Sequence, residues 1–258
     1  MTSARNGGPP DVCEVVTFAT LGNDPAMKLS TLAAAARRGR DAFQRVFPAL
    51  GPKLRQPVPG GFQPYNFTLP NRYPWLFQFA AARLQQRPQP RILSFGCSRE
   101  EPFTLRSYFP TAQIRGIDVD PDNIAACIER ARAQDLRDMT FTAAAHSQGE
   151  PAESLDAVFC LAVLCLGDLT TSGARRCDPY IYFDRFEAIV TDFARCLKPG
   201  GLLLLHTANF RFCDTAAARD FDTVLQAQPE QMAPDVVFDR DNRLMSGERY
   251  LAVGFQKR

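Results

Sequence analysis

The stretch Arg91-Ile-Leu-Ser-Phe-Gly96-Cys-Ser-Arg-Glu-Glu-Pro102, followed by Gln113-Ile-Arg-Gly-Ile-Asp118, decides the fold. Ile92 to Phe95 is a short apolar run of strand character. Phe103 to Tyr108 has the spacing of a short helix, and Gln113 to Ile117 is a second strand that ends in Asp118. A strand, a turn opening on glycine, a helix, and a strand ending in a carboxylate together make a nucleoside-binding βαβ unit. The small residue lets a ligand approach the backbone, and the carboxylate accepts hydrogen bonds from both ribose hydroxyls.

Downstream the alternation continues. Asp120 is an N-cap before Pro121 at the first helical position, and Ile124, Cys127, Ile128 and Ala131 form the apolar stripe of that helix. Met139 to Ala143 reads as a third strand and Leu155 to Cys160 as a fourth. Phe183 to Leu197 reads as a helix with Phe186, Val190, Phe193 and Leu197 turned inward, stopped by Lys198-Pro-Gly-Gly201. Leu202 to His206 is a fifth strand whose unbroken apolar run requires both faces to be covered. Thr215 to Gln226 reads as helix. Val236 to Phe238 and Tyr250 to Gln256, joined by the turn Asp239-Arg-Asp-Asn242, read as a closing hairpin. The fold class is therefore α/β: a Rossmann-like doubly wound sheet of about seven strands with a C-terminal antiparallel hairpin. Such sheets bind ligands beyond the carboxyl ends of their strands, here after Phe95, Asp118, Ala143, Cys160 and His206.

Upstream of residue 91 the pattern is different. Residues 1–26 read as a mobile lead-in and residues 27–90 as a helical cap or lid, leaving 91–258 as the Rossmann-like domain. Within the cap, a helix runs from Lys28 through Leu29, Leu32, Ala36, Phe43, Val46 and Leu50. Gly51 to Pro70 is too rich in Pro and Gly for regular structure, and a second helix spans Trp75 to about Leu84. The chain carries 30 Lys+Arg against 28 Asp+Glu, so the total charge demands no polyanionic partner. The distribution is uneven, since residues 1–90 hold 11 Lys/Arg against 4 Asp/Glu and 12 of the 20 prolines. A nucleic-acid module using the basic cap is a rival reading, opposed by the lack of a dense Lys/Arg run with interleaved aromatics.

With 45% apolar and 22% charged residues, disorder throughout is excluded. The longest apolar run, Ala157 to Gly167, has about half the roughly 20 residues a spanning helix needs. The N-terminus lacks the apolar core of a signal peptide, so a cytoplasmic protein without membrane association is expected. The eight cysteines contain no C-x-x-C pair, and His146 and His206 complete no zinc spacing with them, so no metal is expected.

The turn after the first strand selects the ligand. Of G-x-G-x-x-G only the first glycine is present, and Glu100 and Glu101 stand where a pyrophosphate would meet the helix N-terminus. Like charges there oppose a dinucleotide. An adenosine carrying cationic groups would be attracted instead, and S-adenosylmethionine carries a sulfonium and an ammonium.

At this point the chain resembles the class I S-adenosylmethionine-dependent methyltransferases over residues 91–258. Ile92-Leu-Ser-Phe-Gly-Cys97 resembles their first motif, Gly116-Ile-Asp-Val-Asp-Pro121 the second-strand motif, Leu155 to Leu164 the fourth-strand motif, and Leu197-Lys-Pro-Gly-Gly-Leu-Leu-Leu-Leu205 the turn into the fifth strand. The first motif is most similar to that of chemotaxis-receptor glutamate methyltransferases, in which a glutamate contacts the cofactor's amino group. The resemblance implies S-adenosylmethionine as cofactor. It also implies a binding set of Ser94, Gly96, Cys97, Ser98, Glu100 or Glu101, Asp118 for the ribose, Val119, Ala145, His146 and Leu161, with Arg72 of the cap pairing with the methionyl carboxylate.

The chain also departs from the family pattern. Ser98 and Arg99 stand where the wider family has glycines, and Ala143-Ala-Ala-His146 lacks the acid many relatives place beside the adenine. These departures keep a non-catalytic cofactor-binding interaction protein as an alternative. The fourth-strand motif ends Cys160-Leu-Ala-Val163 rather than in the Asn/Asp-Pro-Pro-aromatic form associated with nitrogen acceptors. An oxygen acceptor, hydroxyl or carboxyl, on a small molecule or a protein side chain is therefore expected. His206 is the candidate base, and Tyr180, Tyr182 and Asn209 are candidates for the acceptor pocket.

Overall fold

The computed structural model describes residues 56–66, 68–232, 236–247 and 249–258. The expected lead-in over 1–26 and the helix from Lys28 to Leu50 lie outside the described residues. From residue 56 to Tyr73 the chain is an irregular strap, as its Pro and Gly content dictates. Helix α1 (Pro74–Leu84) follows, with proline at its start.

The alternating region gives β1 (Arg91–Phe95), α2 (Glu101–Tyr108), β2 (Gln113–Asp118), α3 (Pro121–Ala133), β3 (Met139–Ala143) and β4 (Leu155–Leu161). After the single turn α4 (Leu169–Ser172) come α5 (Phe183–Cys196), β5 (Leu197–His206), β6 (Phe221–Gln226) and β7 (Ala252–Lys257). The Asp120 carboxylate caps α3 by accepting from the Asp122 N–H at 2.9 Å. Among the described residues the seven strands form one sheet in the order β3-β2-β1-β4-β5-β7-β6. The first five are parallel and β7 runs antiparallel between β5 and β6.

β4 is buried at all seven positions, and its alternating side chains feed two separate cores. Val158 and Cys160 pack with Phe186, Val190 and Phe193 of α5, whose spacing puts them on one face. Ala157, Phe159 and Leu161 pack on the opposite face with Leu76, Phe77, Ala80 and Leu84 of α1. Helix α1 therefore covers the sheet directly, and its first turns, with Trp75 against His206 and Phe77 in the cleft wall, join the strap at the strand ends.

The C-terminal third departs from the sequence reading. Thr215 to Gln226 is not a helix: it begins as a short 3-10 turn over Ala216–Asp220 and continues as β6. The partner of the last strand is β6 rather than Val236 to Phe238. Phe238 instead makes single bridges to Phe210 and Leu244 and is fully buried. The Ala216-Ala-Ala run favours helix locally, but pairing β7 on both edges overrides that preference.

Candidate functional site

The loop after β1 is shaped by two requirements. Gly96 has φ +66°, and a Cβ there would come within 2.4 Å of Val163 Cγ2, so only glycine fits. The Gly96 and Cys97 N–H groups both donate to the Ile117 carbonyl, at 2.7 and 3.0 Å, which ties the turn to β2. Ser98, also at positive φ, donates its N–H to Asp118 Oδ2 at 2.8 Å, while Asp118 Oδ1 accepts from the Asp120 N–H at 2.9 Å. Asp118 is thus held by two backbone donors, and each oxygen keeps a lone pair for a ribose hydroxyl.

Glu101 is the first residue of α2 and is deeply buried, with Oε1 accepting from Ser94 Oγ at 2.7 Å. Burial pushes its carboxyl up to about 8, against the pull of the Ser94 hydrogen bond and the Arg72 guanidinium. Glu100 points elsewhere, into an ion pair with Arg130 at 3.1 Å. The fold therefore brings Glu101 and not Glu100 to the ligand end. Arg99, which stands in a glycine position, turns onto α3 and donates to Asn123 Oδ1 at 2.8 Å, clear of the cleft.

The strap closes this space from above. Gln63 Nε2 donates to the Ala162 carbonyl at 2.6 Å, the Tyr65 hydroxyl donates to Asp168 at 3.0 Å, and Ser98 Oγ donates to Asn66 Oδ1 at 2.8 Å. Phe62 is buried in the core on the α5 side. Gly60, at φ +80°, lies against Ala145, whose Cβ would be 2.9 Å from a Cβ at position 60. Under the strap lies a cleft of about 510 Å³. Gly96, Cys97, Ser98, Glu101, Asp118, Val119, Leu161 and Arg72 line it, together with the apolar Phe62, Leu69, Phe77, Val163 and Ile189. The Arg72 guanidinium stacks over the Tyr73 ring, 5.1 Å from its centroid.

Several sequence-predicted residues lie outside this lining. Ser94 acts on it through Glu101. Ala145 supports the strap, and His146 is exposed. Tyr180 packs against the core and Tyr182 is exposed ahead of α5. Asn209 is fully buried: its Oδ1 accepts from the Leu166 N–H at 2.5 Å and its Nδ2 donates to the Val236 carbonyl at 2.8 Å. His206 is also buried, beneath the rings of Tyr73 and Trp75 at 4.5 and 5.8 Å. Both its ring nitrogens are engaged, Nε2 with the Gln231 carbonyl at 3.1 Å and Nδ1 with Thr207 Oγ1 at 2.8 Å.

Asn66 and Asn123 were not singled out by the sequence. Their contacts to the Ser98 loop span 32 and 24 residues, and only a buried polar side chain at the start of α3 hints at them. Among the described residues no three of His, Cys, Asp and Glu converge as a metal site requires, and no helix is long and apolar enough to cross a membrane.

Comparison with known proteins bears on the same segment. A family model described as a methyltransferase domain matches residues 93–205, which span β1 to β5. No curated protein is similar enough in sequence to be matched. Among solved structures, the chain is similar to the YcgJ protein from Bacillus subtilis, with 18% identity over 52% of this chain and 50% of that one and a TM-score of 0.37. It is similar to geranyl diphosphate C-methyltransferase from Streptomyces coelicolor, with 15% identity over 51% and 44% and a TM-score of 0.38. Coclaurine N-methyltransferase gives 13% identity over 51% and 34%, with a TM-score of 0.36. The chain thus spans half or less of the length of these structures. The residues that match the methyltransferase-domain model include the loop after β1, Glu101 and Asp118.

Proposed function

We propose that the chain is an S-adenosylmethionine-dependent methyltransferase acting on an oxygen of a small-molecule acceptor. The observation that carries this reading is the charge pattern of the cleft. Three acids line it: Glu101 and Asp118, and Asp120, whose carboxylate caps α3; the guanidinium of Arg72 comes from the strap. Asp118 suits the ribose hydroxyls, Glu101 an ammonium, and Arg72 a carboxylate. The first-motif likeness to chemotaxis-receptor methyltransferases assigns the same role to a glutamate. The positive φ and closed Cβ space at Gly96 fit a ligand lying against backbone.

When bound, the cofactor supplies an activated methyl group on its sulfonium. The chain's own contribution is then to hold and dehydrate, since most of the barrier reduction in such a transfer comes from orientation. The strap supports a small acceptor over a protein side chain, because it covers the strand ends with Phe62, Tyr65 and Leu69.

Calorimetric titration of the full chain with S-adenosylmethionine and S-adenosylhomocysteine tests the cofactor assignment. Binding by wild type, weakened at least tenfold in Asp118→Ala, is expected, and no binding by wild type overturns it. Transfer of a labelled methyl to a panel of alcohols, phenols, carboxylic acids and amines tests the acceptor class. Labelling confined to amines overturns the oxygen assignment.

A further inference from the structure

The strand order divides the cleft between the two ligands that a methyl transfer brings together. Asp118 ends β2, and the lining residues Val119 and Ala144 directly follow β2 and β3, so an adenosine held by Asp118 lies over that edge of the sheet. β1 comes next, and Glu101 behind its loop serves the charged tail of the cofactor together with Arg72. β4 stands on the far side of β1 from β2. The residues beyond its end, Ala162, Val163 and Leu164, line a part of the cleft that the cofactor's anchors leave unclaimed.

Ala162 gives that point its geometry. It is a non-glycine residue at φ +58°, a left-handed conformation that costs energy and persists only where the surroundings impose it. Its N–H donates to the His206 carbonyl at 2.8 Å, and its own carbonyl accepts from Gln63 of the strap at 2.6 Å. Because a carbonyl only accepts, the Gln63 atom facing it is the amide nitrogen, and the amide oxygen is fixed at the other corner of the same plane. Gln63 belongs to the cleft lining, and among the described residues its Oε1 has no hydrogen-bond partner. Nor is that oxygen a sealed buried orphan, so a ligand can reach it.

The surroundings of the oxygen set the chemistry it can serve. Phe62, Val163, Leu164 and Ile189 are apolar walls of the cleft. The four charged side chains of the lining are already matched: Asp118, Glu101 and Arg72 suit the ribose, ammonium and carboxylate of the cofactor, while Asp120 caps α3 and accepts from the Asn66 amide at 3.3 Å. Arg185 stacks 5.1 Å from the centroid of the Phe62 ring and does not line the cleft. A charged acceptor at the end of β4 would therefore lose its water without gaining an opposite charge.

We infer that Gln63 Oε1 receives the hydrogen bond of the methyl acceptor, and that this acceptor is an uncharged hydroxyl compound with an apolar body. The inference rests on the methyltransferase reading above and narrows its oxygen class from hydroxyl or carboxyl to hydroxyl. A hydroxyl that gives its hydrogen to Gln63 keeps a lone pair free to face the methyl group, and the bond from Gln63 to the Ala162 carbonyl fixes the direction. A carboxylate has no hydrogen to give and would set its oxygens against that of the amide.

Phenol, toluene, benzoate and benzylamine share one ring and differ in polar group, and their titration by NMR into the full chain saturated with S-adenosylhomocysteine tests the proposal. Phenol is expected to bind roughly fivefold more tightly than toluene, the scale of one neutral hydrogen bond, and more tightly than benzoate or benzylamine. Gln63→Leu should bring phenol down to the level of toluene. Any loosening of the strap moves both probes together, so their ratio reports the hydrogen bond alone. Asn66→Ala, which unfastens the strap from Ser98 and not from Ala162, should keep the preference for phenol. In wild type the side-chain nitrogen of Gln63 should shift downfield with phenol and stay in place with toluene, a reading that needs no variant.

Tighter binding of benzoate or benzylamine than of phenol overturns the proposal, as does a Gln63→Leu chain that keeps the preference or a Gln63 nitrogen that phenol leaves in place. A chain that binds S-adenosylhomocysteine but none of the four probes also overturns it and leaves the cofactor reading standing. If wild type does not bind S-adenosylhomocysteine, the methyltransferase reading itself fails and the proposal falls with it.

Discussion

Replacing Glu101 by Gln separates the energetic penalty of a buried acid from its use. The carboxyl lies inside the protein with its Oε1 bonded to Ser94 Oγ, a contact the amide oxygen of Gln retains. Burial carries it from an ordinary 4.5 to about 8. Below pH 4.5 the group is protonated in the folded and unfolded chain alike and contributes nothing. Between 4.5 and 8 the unfolded chain releases the proton and the folded chain keeps it, so stability falls as pH rises. At pH 7 the penalty is about 3 kcal/mol, taking roughly 1.4 kcal/mol per pH unit above 4.5. The ligand-free Glu101→Gln variant should therefore be more stable than wild type by about 3 kcal/mol at pH 7. For a domain of this size that is roughly 6–12 °C in melting temperature, and the gain should vanish near pH 4.5.

Binding should show the opposite effect. At pH 7 about nine-tenths of the wild-type carboxyl is protonated, and pairing with an ammonium requires the carboxylate. S-adenosylhomocysteine should then release about 0.9 proton on binding, read from calorimetric enthalpies in two buffers of different ionisation enthalpy at one pH. Its affinity should rise about tenfold between pH 6 and 7, where the ligand's amine stays protonated. Glu101→Gln should bind more weakly, release no proton and show no such slope. If the variant melts lower than wild type at pH 7, or wild type binds without releasing a proton, Glu101 is not a buried neutral acid facing the ligand.

Gly96→Ala places a methyl 2.4 Å from Val163 Cγ2 at φ +66°, and should cost about 1–3 kcal/mol with a parallel loss of S-adenosylhomocysteine affinity. Adding Val163→Ala should restore part of the melting temperature. Asn66→Ala removes the strap contacts to Ser98 Oγ at 2.8 Å and to Asn123 at 2.7 Å. It should speed ligand dissociation in a stopped-flow chase while changing stability by only about 1 kcal/mol. Asp156→Ala is the control at the opposite end of the sheet. That buried carboxylate takes hydrogen bonds from Arg87 at 2.7 Å, the Arg91 N–H at 2.8 Å and Lys198 at 2.9 Å. Its loss should cost about 3–5 kcal/mol in denaturant titrations yet leave ligand affinity unchanged.

The parallel half of the sheet was legible because its signals are local. An unbroken apolar run such as Leu202 to His206 has one stable placement, inside a sheet covered on both faces, and helix caps such as Asp120 mark the crossovers. Met139–Ala143 and Gln113–Asp118 fall where that reasoning put them. β6 was not legible, since Phe221-Asp-Thr-Val-Leu-Gln has little alternation and follows an alanine run. Its strand conformation comes from β7, which arrives about thirty residues later and inserts between β5 and β6.

The site divides along the same line. Gly96, Glu101 and Asp118 belong to one βαβ unit, and their spacing reveals them. Glu100 could not be separated from Glu101 in sequence because the choice depends on which side of α2 faces the sheet, and Arg130 fixes that from thirty residues away. The strap was hidden for a stronger reason. Its proline and glycine content predicts only irregularity, while its contacts reach Ala162 and Asp168 across about a hundred residues. Its one cation in the cleft, Arg72, gives the uneven charge of the sequence a physical meaning. Arg72 lowers the carboxyl of Glu101, stacks on Tyr73 and disfavours a charged His206. A positive group from the basic part of the chain thus acts on an acid, a phenol and an imidazole at one point. Removing it by Arg72→Ala should raise Glu101 further above 8, increasing the proton release on ligand binding at pH 7 toward a full proton even as affinity falls.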